Sequence, residues 1–99
     1  MPVTTHTTED GRVLTISVVG NFSVEVQSDF RASYENSAAE KYIIDLEQTE
    51  YMDSSALGML LMMREQVGGD DAVILLQNCG QDIKVILSVA NFQALFTID

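Results

Sequence analysis

Apolar and polar residues alternate along residues 12–19, which is the period of a half-buried β-strand. Residues 3–8 before it are rich in β-branched side chains and predict an edge strand. Glu9-Asp10-Gly11 between the two segments suits a tight hairpin turn. From residue 23 or 24 to about residue 37, apolar side chains fall three or four positions apart, which predicts a helix. The chain therefore begins with a β-hairpin followed by a helix.

Short apolar segments then alternate with helical ones. The expected elements are a strand over 41–46, a loop over 47–52, a helix over 54–67 closed by Gly68-Gly69, a strand over 72–76, a helix that opens at residues 80–82, and a short edge strand over 95–98. The third helix carries five apolar side chains: Ile83, Val85, Ile86, Leu87 and Val89. The strand over 41–46 shows little alternation, which predicts burial on both faces, and the strand over 72–76 is predicted to be buried as well. The order β-β-α-β-α-β-α-β predicts an α/β fold, with a small mixed sheet of four to five strands and helices packed on it.

The length of the chain and its net charge indicate how many domains it has and which kinds of partner it can bind. The chain has 99 residues, 46% of them apolar, which indicates one globular domain over residues 1–99. Fifteen acidic residues against five basic ones give a net charge of −10. Such a chain repels phosphate backbones and anionic membranes, so we expect no nucleic-acid partner. A partner is expected to present a basic or apolar surface.

Sparse cysteine and histidine limit the redox and metal chemistry. Cys79 is the single cysteine and cannot form an internal disulfide, which suits a reducing cytoplasm. We find no signal peptide in residues 1–10 and no apolar run long enough to insert into a membrane. His6 is the single histidine and has no second ligand near it in sequence, so we expect no metal and no cofactor.

The segment from Tyr51 to Leu61 carries the main chemical signal. Asp53, Ser54 and Ser55 stand at the mouth of a Leu- and Met-rich run, where side-chain oxygens accept hydrogen bonds from the first backbone N–H groups of a helix. The helix dipole also favours a negative group at this point. The motif is therefore either a plain helix cap or a helix cap that is also a phosphorylation site.

This motif, together with the strand Ile43-Ile44-Asp45-Leu46 before it, resembles the STAS domains of bacterial anti-sigma factor antagonists. The resemblance covers nearly the whole chain, and Met52-Asp53-Ser54-Ser55-Ala56-Leu57-Gly58 is its specific part. It implies a STAS fold and regulation of transcription by partner switching. The unphosphorylated domain would bind a serine/threonine kinase-type anti-sigma factor. That kinase would phosphorylate Ser54 and so abolish binding, and a PP2C-like phosphatase would reverse the modification.

The resemblance also places the other site residues. Those expected to flank Ser54 or to contact the partner are Asn21, Met52, Asp53, Ser55, Leu57, Met59 and Met62. Two positions depart from the family pattern: Ala56 stands where many relatives have glycine, and Ser23 stands in place of an aspartate. Met59 and Met62 either form an adaptable exposed surface or fill gaps in the core.

Three other functions would need features that can be checked against the sequence. A receiver-like domain needs an acidic pair after its first strand to hold Mg²⁺, whereas Gly20-Asn21 follows here. An unphosphorylated STAS subunit docked on a membrane transport complex, as in bacterial lipid transporters, stays open as the alternative. An enzyme is not expected, because the sequence offers no base–nucleophile pair and no cofactor motif.

Overall fold

The computed structural model describes residues 2–99. The strands are β1 (Val3–Thr7), β2 (Val13–Val18), β3 (Gly20–Phe22), β4 (Lys41–Asp45), β5 (Thr49–Met52), β6 (Ile74–Gln77) and β7 (Thr97–Ile98). The helices are α1 (Gln27–Tyr34), α2 (Ser54–Val67) and α3 (Gln81–Val89), and short 3₁₀ turns occupy Val24–Val26, Gly69–Asp71 and Phe92–Ala94. The expected α/β class is confirmed. Two strands, β3 and β5, lie where the sequence predicted only a strand end and a loop.

Five strands form one mixed sheet in the order β1-β2-β4-β6-β7. The hairpin β1–β2 is antiparallel, and the pairs β2–β4, β4–β6 and β6–β7 are parallel. The register places Ile16, Ile44 and Leu76 in one row across the centre, and all three are fully buried. β1 and β7 are the edge strands, as the sequence predicted.

The sheet is covered on one face only, which corrects the prediction that its parallel strands are buried on both. Along β4 the burial alternates, so Tyr42 and Ile44 are buried whereas Ile43 and Asp45 are only partly covered. β6 repeats this pattern. A run of apolar residues hid the alternation, because Ile43 is as apolar as its buried neighbours and packs beside other strand residues on the uncovered face.

The core lies between the covered face and the helices. From α1 and the turn before it, Val26, Phe30 and Tyr34 point inward at the expected spacing. The ring of Phe30 lies 5.1 Å from that of Phe22 and 5.6 Å from that of Tyr34, both in tilted or edge-on contacts. Phe22 thus ties β3 to the same core that holds the helices.

β3 and β5 pair in parallel as a separate two-stranded sheet. Asn21 lies beside Tyr51 and Phe22 beside Met52 in its register. The Thr49 hydroxyl donates to the carbonyl of Val18 at 2.7 Å, across 31 positions of sequence. These bonds hold in place the segment that leads into α2.

Candidate functional site

Asp53 caps the first turn of α2. Its backbone is extended, with φ −109° and ψ −176°, as a residue just outside a helix must be. One carboxylate oxygen, Oδ1, accepts from the backbone N–H of Ser55 at 3.0 Å and of Ala56 at 3.3 Å. The backbone N–H of Asp53 itself donates to the Phe22 carbonyl at 3.4 Å. The predicted helix cap is confirmed, and β3 anchors it.

The two serines that follow have different surroundings. The Ser55 hydroxyl donates to the same Oδ1 of Asp53, and this side chain is half-buried. Ser54 is the first residue of α2 and is exposed, and its hydroxyl has no hydrogen-bond partner among residues 2–99. Ser55 is therefore used by the fold, whereas Ser54 Oγ is open to an incoming group.

Hydrogen bonding to the charged form lowers the pKa of Asp53 below its ordinary value of 3.8. The Ser55 hydroxyl is the largest cause, and the backbone N–H groups of Ala56 and Ser55 add to it, while partial desolvation acts in the opposite direction. Asp53 is thus ionised at neutral pH. A phosphate on Ser54 would stand directly beside a fixed carboxylate.

Acidic side chains gather at the end of the molecule that carries Ser54. Glu47 and Glu50 lie in the connection from β4 to α2, and Asp82 lies in the first turn of α3. At the opposite end, Arg12 contacts Glu40 at 4.0 Å and Arg64 contacts Asp70 at 3.0 Å. The carboxylates of Glu47, Glu50 and Asp82 thus lie near the candidate phosphorylation site, whereas these two arginines lie away from it.

An open groove of about 530 Å³ runs beside Ser54, between the start of α2 and α3. Its lining residues are mostly apolar: Tyr51, Met52, Asp53, Ser54, Leu57, Val85, Ile86, Val89 and Ala90. Ser54 thus lies on the wall of an apolar depression. A partner that covered this groove would also cover the Ser54 hydroxyl.

Met59 and Met62 of α2, for which an exposed surface and a core position were both open, differ in burial. Met62 is 50% exposed, whereas Met59 is 6% exposed and packs in the core. Of the two alternatives for Met59, core filling is therefore confirmed, and its expected contact with a partner is wrong, because its position on α2 turns it toward the sheet together with Leu60 and Met63. Met52 is also buried, so it can support the site from below but offers a partner little surface.

The remaining predicted residues lie around Ser54. Leu57 is half-buried on the groove wall, one helical turn after Ser54. Asn21 is exposed on β3 and lies beside Tyr51, two residues before the cap. The structure thus brings both to the surface near Asp53.

Sequence reasoning missed three contributors to this surface. Tyr51, Val85 and Val89 are exposed and line the groove, whereas the two valines were predicted only as members of the apolar set of α3. A signal was present in the sequence. Five apolar residues within a nine-residue helix exceed what one buried stripe can hold, and only Ile83 and Leu87 are fully buried.

The other candidate groups lie apart from Ser54. Cys79 is half-buried, its thiol donates to the Leu76 carbonyl at 3.5 Å, and burial raises the pKa of that thiol. His6 is exposed on β1. Across residues 2–99, no group of three His, Cys, Asp or Glu side chains is placed to hold a metal ion. Within the same range, every helix is too short or too polar to cross a bilayer.

The sequence matches, over residues 5–97, the family described as "Mlab, STAS domain". The chain therefore belongs to the STAS domain family, as the motif at residues 52–58 suggested. A relative in Pseudomonas aeruginosa strain UCBPP-PA14, the STAS-domain containing protein PA14_20770, is 43% identical over 100 residues and aligns over 99% of both chains.

Solved structures of low sequence identity share the fold. A Thermotoga maritima protein described as an anti-sigma factor antagonist superposes with a TM-score of 0.82 at 17% identity, over 97% of this chain and 84% of the other. The anti-sigma factor antagonist SpoIIAA in its unphosphorylated form gives 0.68 at 19%, over 98% and 86%. A sulfate transporter family protein of Wolinella succinogenes gives 0.73 at 16%, over 84% and 70%. The STAS fold of this chain is thus shared by proteins of more than one kind.

Proposed function

We propose that this protein is an anti-sigma factor antagonist-like phosphoswitch without catalytic activity of its own. In its unphosphorylated form it binds a serine/threonine kinase-type anti-sigma factor in the cytoplasm and so regulates transcription indirectly. Phosphorylation of Ser54 abolishes that binding, and a PP2C-like phosphatase restores it. The observation that carries this proposal is the exposed Ser54 hydroxyl at the start of α2, which has no hydrogen-bond partner among residues 2–99.

The neighbouring serine supports the choice of Ser54. Ser55 is half-buried and bound to Asp53, so a kinase would have to break a cap contact to reach it. Ser54 can accept a phosphoryl group while Asp53 keeps its bonds to Ser55 and Ala56. The fold therefore favours modification of one hydroxyl over the other.

Phosphorylation of Ser54 should change the stability of the domain little and weaken a complex with the partner much more. A phosphoserine adds about −1.5 to −2 charges and three acceptor oxygens. At a helix N-terminus the dipole interaction is favourable by about 0.3–1 kcal/mol, so the modified domain should stay folded. In a complex, the dianion would be buried beside Asp53 against apolar groove residues. Burying an unpaired charge costs several kcal/mol, a large share of the roughly 8 kcal/mol of a micromolar complex.

Three variants test the switch in pull-downs from the native cell. Ser54→Ala should retain the partner in the presence of ATP, and Ser54→Asp should lose it. Ser55→Ala is the matched control, since it removes a hydroxyl one residue away and should still be released by phosphorylation. Mass spectrometry of the native protein should place the phosphate on Ser54, and the captured partner should phosphorylate purified wild-type protein.

Two results would contradict the switch. One is Ser54→Asp binding the partner as tightly as wild type does. The other is phosphate found on Ser55 while Ser54 stays unmodified. Either result would mean that an exposed hydroxyl at the helix start does not control docking.

The alternative function is an unphosphorylated STAS adaptor subunit of a membrane transport complex. The fold likeness to the sulfate transporter family protein supports it, because that protein shows the same fold in a transport context. In this case Ser54 would act only as a neutral contact within a permanent complex. The intact mass of the protein from growing cells separates the two functions, since an adaptor should show no phosphorylated fraction and should fractionate with a membrane complex.

A further inference from the structure

Exposed apolar side chains and one glycine form a continuous surface around Ser54, here called the docking face. It consists of Tyr51, Ser54, Val85, Val89 and the half-buried Leu57, which line the groove, and of Gly58, which is exposed one turn after Ser54. Tyr51 is 56% exposed and Val89 is 84% exposed, although both are large apolar residues. A protein gains nothing by holding such side chains in water, and grouped exposure of this kind is typical of an interaction surface.

Gly58 is a second, independent sign that something approaches this face. It lies inside α2 on the exposed side, one turn after Ser54. A Cβ added at Gly58 would meet nothing within 4 Å, so neither packing nor backbone conformation requires glycine there. A glycine inside a helix is less favourable than alanine by about 0.5–1 kcal/mol. The fold accepts this loss without any gain in the isolated domain, whereas a partner lying directly on the α2 backbone would explain it.

The charges around the docking face indicate the chemistry of that partner. Glu50 and Asp82 are exposed and line one cleft, and each lies within three residues of a groove residue, Glu50 before Tyr51 and Asp82 before Val85. At 100° per residue, Asp82 lies within about 20° of Val89 on α3, whereas Lys84 is turned about 140° away from it. The nearby charges that face the groove are therefore acidic.

We propose that the docking face receives a segment of the partner that carries both apolar and basic side chains. Its apolar side chains enter the groove over Ser54 and Leu57, and its lysines or arginines reach Glu50 and Asp82. This inference rests on the proposed function and adds the identity of the surface and the chemistry of its occupant. It also explains the sign of the switch, since a phosphate on Ser54 would meet the partner's apolar side chains instead of its cations.

The test uses a phage-displayed library of random 12-residue peptides, selected on unphosphorylated wild-type protein. The enriched peptides should combine Leu, Phe or Met with a net positive charge. Their affinity should fall about tenfold on Val85→Asp, which corresponds to the loss of one buried valine contact. Val73→Asp is the matched control, because Val73 and Val85 are both 52% exposed and each variant adds one negative charge. Val73→Asp should bind the peptides as wild type does.

Gly58→Ala separates docking from folding. It should raise the stability of the domain in urea and at the same time weaken peptide binding, a combination that a purely structural role would not produce.

Acidic or wholly polar peptides, or equal losses on Val85→Asp and Val73→Asp, would overturn the proposal. So would a concentration-dependent dimer that Val85→Asp dissociates, since the occupant would then be a second copy of this chain. Failure of Ser54→Asp to release the kinase would instead refute the switch and leave the peptide result intact.

Discussion

Replacing Ser54 and Ser55 separately by alanine tests whether the fold uses only one of the two hydroxyls. Ser55→Ala removes the hydrogen bond to Asp53 Oδ1, whereas Ser54→Ala removes a hydroxyl that has no partner among the described residues. Both variants gain the same small advantage in helix propensity, because alanine is the better helix former. The difference between the two variants therefore isolates the Ser55–Asp53 contact.

The expected difference is about 1 kcal/mol in the free energy of unfolding. Hydrogen bonds to charged groups contribute about 1.5–3 kcal/mol and neutral ones about 0.5–1.5; because Ser55 and Asp53 are both partly exposed, water competes for this bond and brings its contribution into the neutral range. For a domain of this size, about 1 kcal/mol corresponds to a difference in Tm of roughly 4–8 °C, with Ser55→Ala the less stable variant. Urea denaturation followed by circular dichroism at neutral pH measures it.

The pH dependence adds a second check on the same pair. Because the folded-state pKa of Asp53 lies below 3.8, its ionisation stabilises the fold fully above that value and is lost as the pH falls through the lowered pKa. The difference between the variants should thus be constant from about pH 5 to 7 and shrink in stronger acid. In Ser55→Ala, the pKa of Asp53, followed by carbon NMR, should move up toward its ordinary value. If Ser54→Ala is as destabilising as Ser55→Ala, then Ser54 is part of the cap and its hydroxyl is not free for a kinase.

Two further predictions concern side chains away from the cap. Met59→Ala should lower the free energy of unfolding by about 2–5 kcal/mol, because Met59 is buried, whereas Met62→Ala should stay within about 0.5 kcal/mol of wild type; equal losses in urea denaturation would contradict the assignment of one to the core and the other to the surface. The raised pKa of the half-buried Cys79 thiol predicts slow alkylation by iodoacetamide near pH 8 and fast alkylation after unfolding, followed by intact mass. Equal rates before and after unfolding would show that this thiol is open to solvent.

The bounds of α2 could be predicted from sequence because local chemistry sets both of its ends. Asp53 supplies the cap from its own side chain, and Gly68 supplies the backbone conformation that ends the helix, with φ +143°. Each signal acts within three residues of the helix end. The same holds for the hairpin turn at Gly11, which has φ +75°.

β3 and β5 could not be predicted in this way, since each strand forms only by pairing with the other. Each is only three or four residues long, and neither shows a clear alternation of apolar and polar side chains. They exist because segments about 30 residues apart meet, with the Thr49 hydroxyl on the Val18 carbonyl and the Gly20 N–H on the Gln48 carbonyl at 2.9 Å. The exposed side of α3 could not be predicted for a similar reason. The spacing of apolar residues shows where the apolar stripes of a helix lie, but not which stripe is covered by the sheet.

This unpredicted strand pair explains how the start of α2 could tolerate a phosphate. The position of Asp53 is held on one side by the bond from its N–H to the Phe22 carbonyl and on the other by its carboxylate bonds to the helix. None of these contacts uses Ser54 Oγ, so charge added there breaks none of them. Repulsion between the phosphate and the fixed Asp53 carboxylate would then leave these bonds intact, and the added charge would act mainly on whatever lies over the groove. A cap held only by local bonds would yield to that repulsion instead, and phosphorylation would unwind the first turn of the helix.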